Sequence, residues 1–247
     1  MPIRLSPAML LTILQPWTDV VEPIYKRVAE MANAADAGET LWVGCGTGRS
    51  VLWWALKFQS IAQGLDPDQT AVEAAEERVR GSDQGGQVTF QQGDPANLPH
   101  EDKVFDTVIV HLLFLRDVDW EKVIQEATRV LRPMGNIVVM APSWLKTPKE
   151  SDAALIKSLG FAPRVNVEWK GYLRDAGAVE ISVDEAAKDG TWFSQSSFTL
   201  LVRGWQAAGW SGFRSMLSRE IWALKRLTKK RVLGLSILKG ARWPHSD

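Results

Sequence analysis

The stretch ETLWVGCGTGRSVLWW, residues 39–54, constrains the fold of this chain more than any other. A short apolar run leads into glycines at alternate positions, Gly44, Gly46 and Gly48, and these lead into a second apolar run of helical character. A glycine loop between a strand and a helix brings bare backbone close to a small ligand, and it commonly opens a βαβ unit.

The pattern beyond the loop keeps that rhythm. TLWVG reads as a strand, Thr47 to about Ser60 as a helix, and IAQGLD as a second strand ending in Asp66. Asp68 suits the N-cap of QTAVEAAEERV. QVTFQQGD is a third strand, and FDTVIVHLLF is apolar almost throughout, as a parallel strand covered on both faces should be. Asp119 can cap a helix in which Trp120, Val123, Ile124, Ala127, Val130 and Leu131 repeat at helical spacing, with Pro133 closing it. NIVVMAPS is a fifth strand. Strands alternating with helices at this spacing predict an α/β, doubly wound and mainly parallel sheet.

After Ser143 the rhythm loosens into helices at Lys149–Leu159 and Val167–Asp175, a strand in AVEISVDEA, and a last strand in VLGLSILKGARW. About 45 residues separate these two strands, too many for a turn. Trp192, Trp205, Trp210 and Trp222 fall in that interval, which reads as a helical lid insert. The expected organisation is a single domain: a helical cap over 1–35, a ligand-binding core over 36–143, late helices and a strand over 144–185, the insert over 186–231, and the last strand and tail over 232–247.

Composition removes several functions. With 45% hydrophobic and 23% charged residues the chain has ample material for a core. Cys45 is its one cysteine, so internal disulfides and cysteine metal clusters are excluded; His100, His111 and His245 show no ligand spacing, and neither structural zinc nor another metal is expected. The opening MPIRLSPAMLLTILQPW has a brief apolar run broken by Pro16 and reads as a buried or interfacial helix, not a signal peptide. No segment approaches about 18 consecutive apolar residues, and a cytoplasmic location is expected.

The loop does not fit a phosphate cradle, because Gly48 is followed by Arg49 and Ser50 and not by Lys-Ser or Lys-Thr. The dinucleotide pattern G-x-G-x-x-G would need glycine where Arg49 stands. What remains is G-x-G-x-G, which gives close backbone approach to an amino-acid and ribose moiety, or serves as an ordinary turn. Asp66, at the end of the second strand, offers two carboxylate oxygens to ribose hydroxyls. Asp94, at the end of the third, can accept from an exocyclic amine such as adenine N6.

LWVGCGTG, GLDPD, GDPANLPHEDKVFDTVIV and RVLRPMGNIVV, in this order, resemble the successive motifs of class I S-adenosylmethionine-dependent methyltransferases. The likeness covers about residues 36–143 and is to the small-molecule branch that includes ubiquinone- and menaquinone-biosynthesis C-methyltransferases; WKGYLRDAGAVEISV is more loosely similar to the family's late helix-and-strand unit. It implies a Rossmann-like fold, S-adenosyl-L-methionine as cofactor, and S-adenosyl-L-homocysteine as product. Gly44, Cys45, Gly46 and Gly48 would lie under the methionine, Asp66 with Pro67 on the ribose, and Asp94 with Pro95 on the adenine. Three positions depart from the family pattern. Trp42 stands where an acid usually precedes the first glycine, with Glu39 in another register. Pro95 has no N–H for the adenine ring, and Pro133-Met134-Gly135 replaces Pro-Gly-Gly.

A sulfonium already carries an activated methyl, so such a protein aligns the acceptor and excludes water, and needs a base only if the acceptor must lose a proton. His111, at the end of the fourth strand, is the candidate base and a cofactor-site residue; a histidine bonded to backbone is the plainer reading. Trp17, Tyr25 and Trp144 are candidate walls of a pocket for a small, apolar or aromatic acceptor. The attacking atom is open. From Phe213 to Trp243 nine lysines and arginines face a single acid, Glu220, and Phe213, Leu217, Ile221 and Leu224 share one helical side. This stretch fits a solvated lid helix, an anionic membrane surface or an acidic partner. Nucleic acid is a weaker fit, though an RNA methyltransferase using this face stays an alternative, as does a non-catalytic interaction subunit.

Overall fold

The computed structural model describes residues 18–36, 38–80, 86–112, 115, 118–158, 162–185, 222 and 226–243. Thr18–Ala32 forms α1, Glu39–Val43 β1, Arg49–Phe58 α2, Ile61–Asp66 β2, Gln69–Arg80 α3, Val88–Gln92 β3 and Phe105–His111 β4. Trp120–Arg129 is α4, Leu131–Trp144 β5, Glu150–Ser158 α5, Asn166–Asp175 α6, Ala178–Asp184 β6 and Leu233–Arg242 β7. The strands make one sheet in the order β3-β2-β1-β4-β5-β7-β6. β1 to β5 run parallel, and β7 slots antiparallel between β5 and β6. This is the expected doubly wound, mainly parallel architecture.

Strand alternation divides the core between the two faces. Trp42, Ile109, Val138, Met140 and Ile237 pack toward α1 and α2. Leu41, Val43, Val108, Val110 and Leu238 pack toward α4 and α6. A third, smaller cluster of Ile156, Leu227 and Leu233 sits at the carboxyl end of the sheet.

Helix α4 follows its sequence signals at the start: the Asp119 carboxylate accepts from Lys122 N–H, and Trp120, Val123, Ile124 and Ala127 are buried. Its end departs from them. The helix stops at Arg129, and Pro133 lies inside β5, which begins five residues before the expected Asn136. Proline is tolerated there because the ladder is bulged: Phe105 pairs with Leu131, but Thr107 pairs with Asn136. Met134 takes a φ of 66° within that bulge. The helix's last carbonyls are met from β7, where the buried Arg242 guanidinium donates to Thr128 O and Arg129 O, and also to Leu131 O at the start of β5.

Other boundaries moved by a few residues. The helix after the glycine loop is Arg49–Phe58, and β4 ends at His111, short of the expected Phe114, which lies outside the described residues. Much of the expected cap and insert, with Trp17, also lies outside them. Among the described residues no helix is long and apolar enough to cross a membrane.

Candidate active site

The carboxyl ends of β1, β2 and β3 lie side by side, and each carries one of the expected features. Gly44, Gly46 and Gly48 all hold left-handed φ angles, 79°, 53° and 75°. Two of these positions also exclude a side chain by contact. A Cβ on Gly44 would lie 2.9 Å from His111 O, and one on Gly48 2.4 Å from the Phe90 ring. The loop is pinned beneath by Leu65 O, which accepts from Gly44 N–H at 2.8 Å and Cys45 N–H at 3.1 Å.

Asp66 is 4% exposed, and its carboxylate is partly engaged. Oδ2 accepts from Gly46 N–H at 2.8 Å and Oδ1 from Asp68 N–H at 3.0 Å, while its backbone O accepts from Gly93 N–H at 3.2 Å. One residue thus ties together the loops after β1, β2 and β3. Burial raises its pKa above the usual carboxylate range, and the two backbone donors act against that rise. An ionised carboxylate has about four acceptor sites, so about two remain for hydroxyls.

Asp94 stands apart from this tie. It is exposed, its Oδ1 accepts from Ala96 N–H at 2.8 Å, and Pro95 is buried behind it. Pro67 is exposed at the mouth of the loop after β2. Cys45 is buried with its thiol 3.6 Å from Gly46 O. Burial, and then the Asp66 charge, push that thiol well up, so it stays protonated and is no nucleophile.

His111 lies at the end of β4, in one row with Met140 and Ile237. It is 3% exposed, and burial lowers its pKa to about 4. The ring is neutral at physiological pH and a poor proton acceptor, which favours positioning over general-base chemistry.

Trp42 and Tyr25 show why the family's acid can be missing without leaving a hole. Trp42 is fully buried, edge-on to both Tyr25 (5.9 Å) and Trp54 (5.8 Å). Tyr25 also touches Trp53, bonds Ser50, and is pushed up to about 12 by burial. It therefore wedges α1 against the start of α2, as core and not as an open pocket wall. Glu39 is far from the loop, paired with Arg132 at the other end of the sheet. Trp144 ends β5 and packs on the third cluster, separate from Tyr25. A groove of about 540 Å³ between α1 and α2, bounded by Ala29, Trp53, Lys57 and Phe58, lies at the opposite end of the sheet from the glycine loop.

A polar chain that sequence spacing did not reveal lies at the loop's end of the sheet. Ser236 Oγ donates to Asn166 Oδ1 at 2.7 Å, and Asn166 Nδ2 donates to Glu185 Oε1 at 3.1 Å. The three residues are up to 70 positions apart, and nothing local in the sequence signals their meeting. Among the described residues no three His, Cys, Asp or Glu side chains converge on a metal-sized site.

Residues 41–135 match the family model described as a methyltransferase domain. The chain is 30% identical over 170 residues to the demethylmenaquinone methyltransferase of Desulfitobacterium hafniense (strain Y51), covering 66% of this chain and 67% of that protein. It is 29% identical over 182 residues to the 27-O-demethylrifamycin SV methyltransferase of Amycolatopsis mediterranei (strain S699), covering 70% of this chain and 64% of the other. Some relatives are matched over less than half their length, 45% and 43% in two cases. The fold superposes on the [4+2]-cyclase SpnF with a TM-score of 0.75, at 23% identity over 92% of this chain and 83% of that one. Family match, relatives and a glycine loop tied to the acid of the second strand agree: the chain belongs to the class I S-adenosylmethionine-dependent methyltransferases.

Proposed function

We propose that this protein transfers a methyl group from S-adenosylmethionine to a small apolar or aromatic acceptor. The observation that carries this reading is the tie between Asp66 and Gly46, which fixes a bare glycine loop and a buried carboxylate at adjacent strand ends. When bound, the cofactor supplies a methyl already activated as a sulfonium. The residues present fit it: backbone at Gly44–Gly48, Cys45 included, for the amino-acid end, and the remaining acceptor sites of Asp66, beside Pro67, for the ribose. The exposed Asp94, beside Pro95, serves the adenine amine. His111, neutral and buried, orients the acceptor or accepts a hydrogen bond from it. Trp144 bounds the acceptor, while Tyr25 supports the loop from below. The names of the rifamycin and menaquinone relatives favour large, weakly polar acceptors.

A second reading is favoured by Trp42: a chain that keeps the fold but does other chemistry, since the superposed structure named a [4+2]-cyclase shares the fold and fold alone does not fix the reaction. Incubation with methyl-labelled S-adenosylmethionine and a panel of hydroquinones, phenols and polyketide-like alcohols separates the two. Label in an extracted product supports methyl transfer. Binding of the cofactor with no labelled product across the panel favours the second reading.

A further inference from the structure

The helical stretch 226–229 stands just before β7, at the carboxyl end of the sheet. Its apolar side is used internally, with Leu227 buried against Ile156 and Leu233. Its outer side is cationic: Lys229, Lys230 and Arg231 are exposed. One turn earlier Trp222 is 60% exposed, with the Arg226 guanidinium 4.8 Å from its ring centroid.

The same surface continues around the end of β5. Trp144 pairs with Leu233 on one side, and Ser143 bridges to Arg164 on the other. The two flanks are therefore about 10 Å apart, two strand spacings. Arg164 is exposed, and beside it Val165 and Val167 are 42% and 74% exposed. Lys146 and Lys149, which follow β5, are exposed as well. The acids in this region are few. Asp152 pairs with Arg226, Glu168 accepts from Val165 N–H, Glu185 accepts from Asn166 Nδ2, and Glu150 is exposed.

Exposed apolar tips set among cations, with a tryptophan at the rim, suit an anionic lipid surface, where headgroups take the cations and the tips reach the acyl boundary. Single-stranded RNA would need several aromatics for successive bases, whereas Trp222 is the one exposed aromatic among the described residues of this surface and the Arg226 guanidinium already lies over its ring. We propose that the carboxyl end of the sheet, from Trp222 and Lys229–Arg231 across to Arg164–Val167, docks on an anionic membrane surface. The glycine loop opens at this same end, so an apolar acceptor held in the bilayer lies next to the site. The docking surface itself does not depend on which acceptor is used.

The test is sedimentation of the full chain with phosphatidylcholine vesicles and with vesicles containing 30% phosphatidylglycerol, at low and high salt. Binding is expected to the anionic vesicles only, and to fall steeply with salt. The combined variant K229E/K230E/R231E should bind at least about 100-fold more weakly, and W222A several-fold more weakly. Unchanged unfolding curves for the variants separate loss of the surface from loss of the fold. No binding to anionic vesicles, equal binding to neutral ones, or full binding by the triple variant would overturn the proposal. Binding to a single-stranded RNA but not to vesicles would overturn it too, and assign the surface to nucleic acid.

Discussion

Replacing Asp66 with alanine should damage both the loop and the cofactor pocket, by amounts the geometry bounds. The carboxylate accepts Gly46 N–H at 2.8 Å and Asp68 N–H at 3.0 Å. Removing it leaves the buried Gly46 donor without an acceptor, a loss of about 1–3 kcal/mol, while the half-exposed Asp68 N–H can turn to water. Relief from burying a charge offsets part of this, since burial is the leading cause of the raised pKa. The net destabilisation should be about 2 kcal/mol, read as a lower urea midpoint at an unchanged slope. Affinity for S-adenosylhomocysteine should fall further, at least about 100-fold, because charge-assisted bonds to two ribose hydroxyls are each worth about 1.5–3 kcal/mol. Calorimetry on the variant below its unfolding midpoint separates the two effects. Wild-type affinity in Asp66→Ala would mean the ribose lies elsewhere. Lost affinity with unchanged stability would mean that the Asp66–Gly46 tie does not hold the loop.

Other outcomes follow from single contacts. His111 has a folded pKa of about 4 against an ordinary value near 6.5, so between those values the unfolded chain binds the extra proton. Its contribution is present above about pH 6.5 and is lost as pH falls toward 4, about 3 kcal/mol in all. His111→Gln should flatten the urea midpoint across that window, and an unchanged profile would place the ring in water. Gly48→Ala should cost about 3 kcal/mol, since the new Cβ meets Phe90 at 2.4 Å on a residue held at φ 75°; a thermal melt checks this. Arg242→Met should cost about 1–2 kcal/mol by removing the guanidinium from the carbonyls of Thr128, Arg129 and Leu131, although Lys103 N–H still reaches Arg129 O and the Val130 cap N–H still reaches Thr128 O; denaturant titration would read the loss.

What the sequence made legible was what depends on local pattern. Apolar runs, the Asp119 cap and the spacing of Trp120 to Ala127 mark strands and α4 because burial and capping act over a few residues. Gly44 and Asp66 were legible as a pair because a βαβ unit always brings the ends of its strands together. The bulge at Leu131–Asn136 was not, since Pro133 stops a helix by the same property that bulged pairing tolerates. Trp42 could be seen to replace an acid, but only its packing between Tyr25 and Trp54 explains how the core accepts it. The Ser236–Asn166–Glu185 chain depends wholly on tertiary structure, and so does the clustering of Arg164 with Lys229–Arg231.

The most direct measurement is a calorimetric titration of the purified protein with S-adenosylhomocysteine, with NADH as the control. One-to-one micromolar binding of the first alone is the predicted outcome. No binding, or preference for the dinucleotide, would contradict the assignment of the glycine loop to the methionine end of the cofactor.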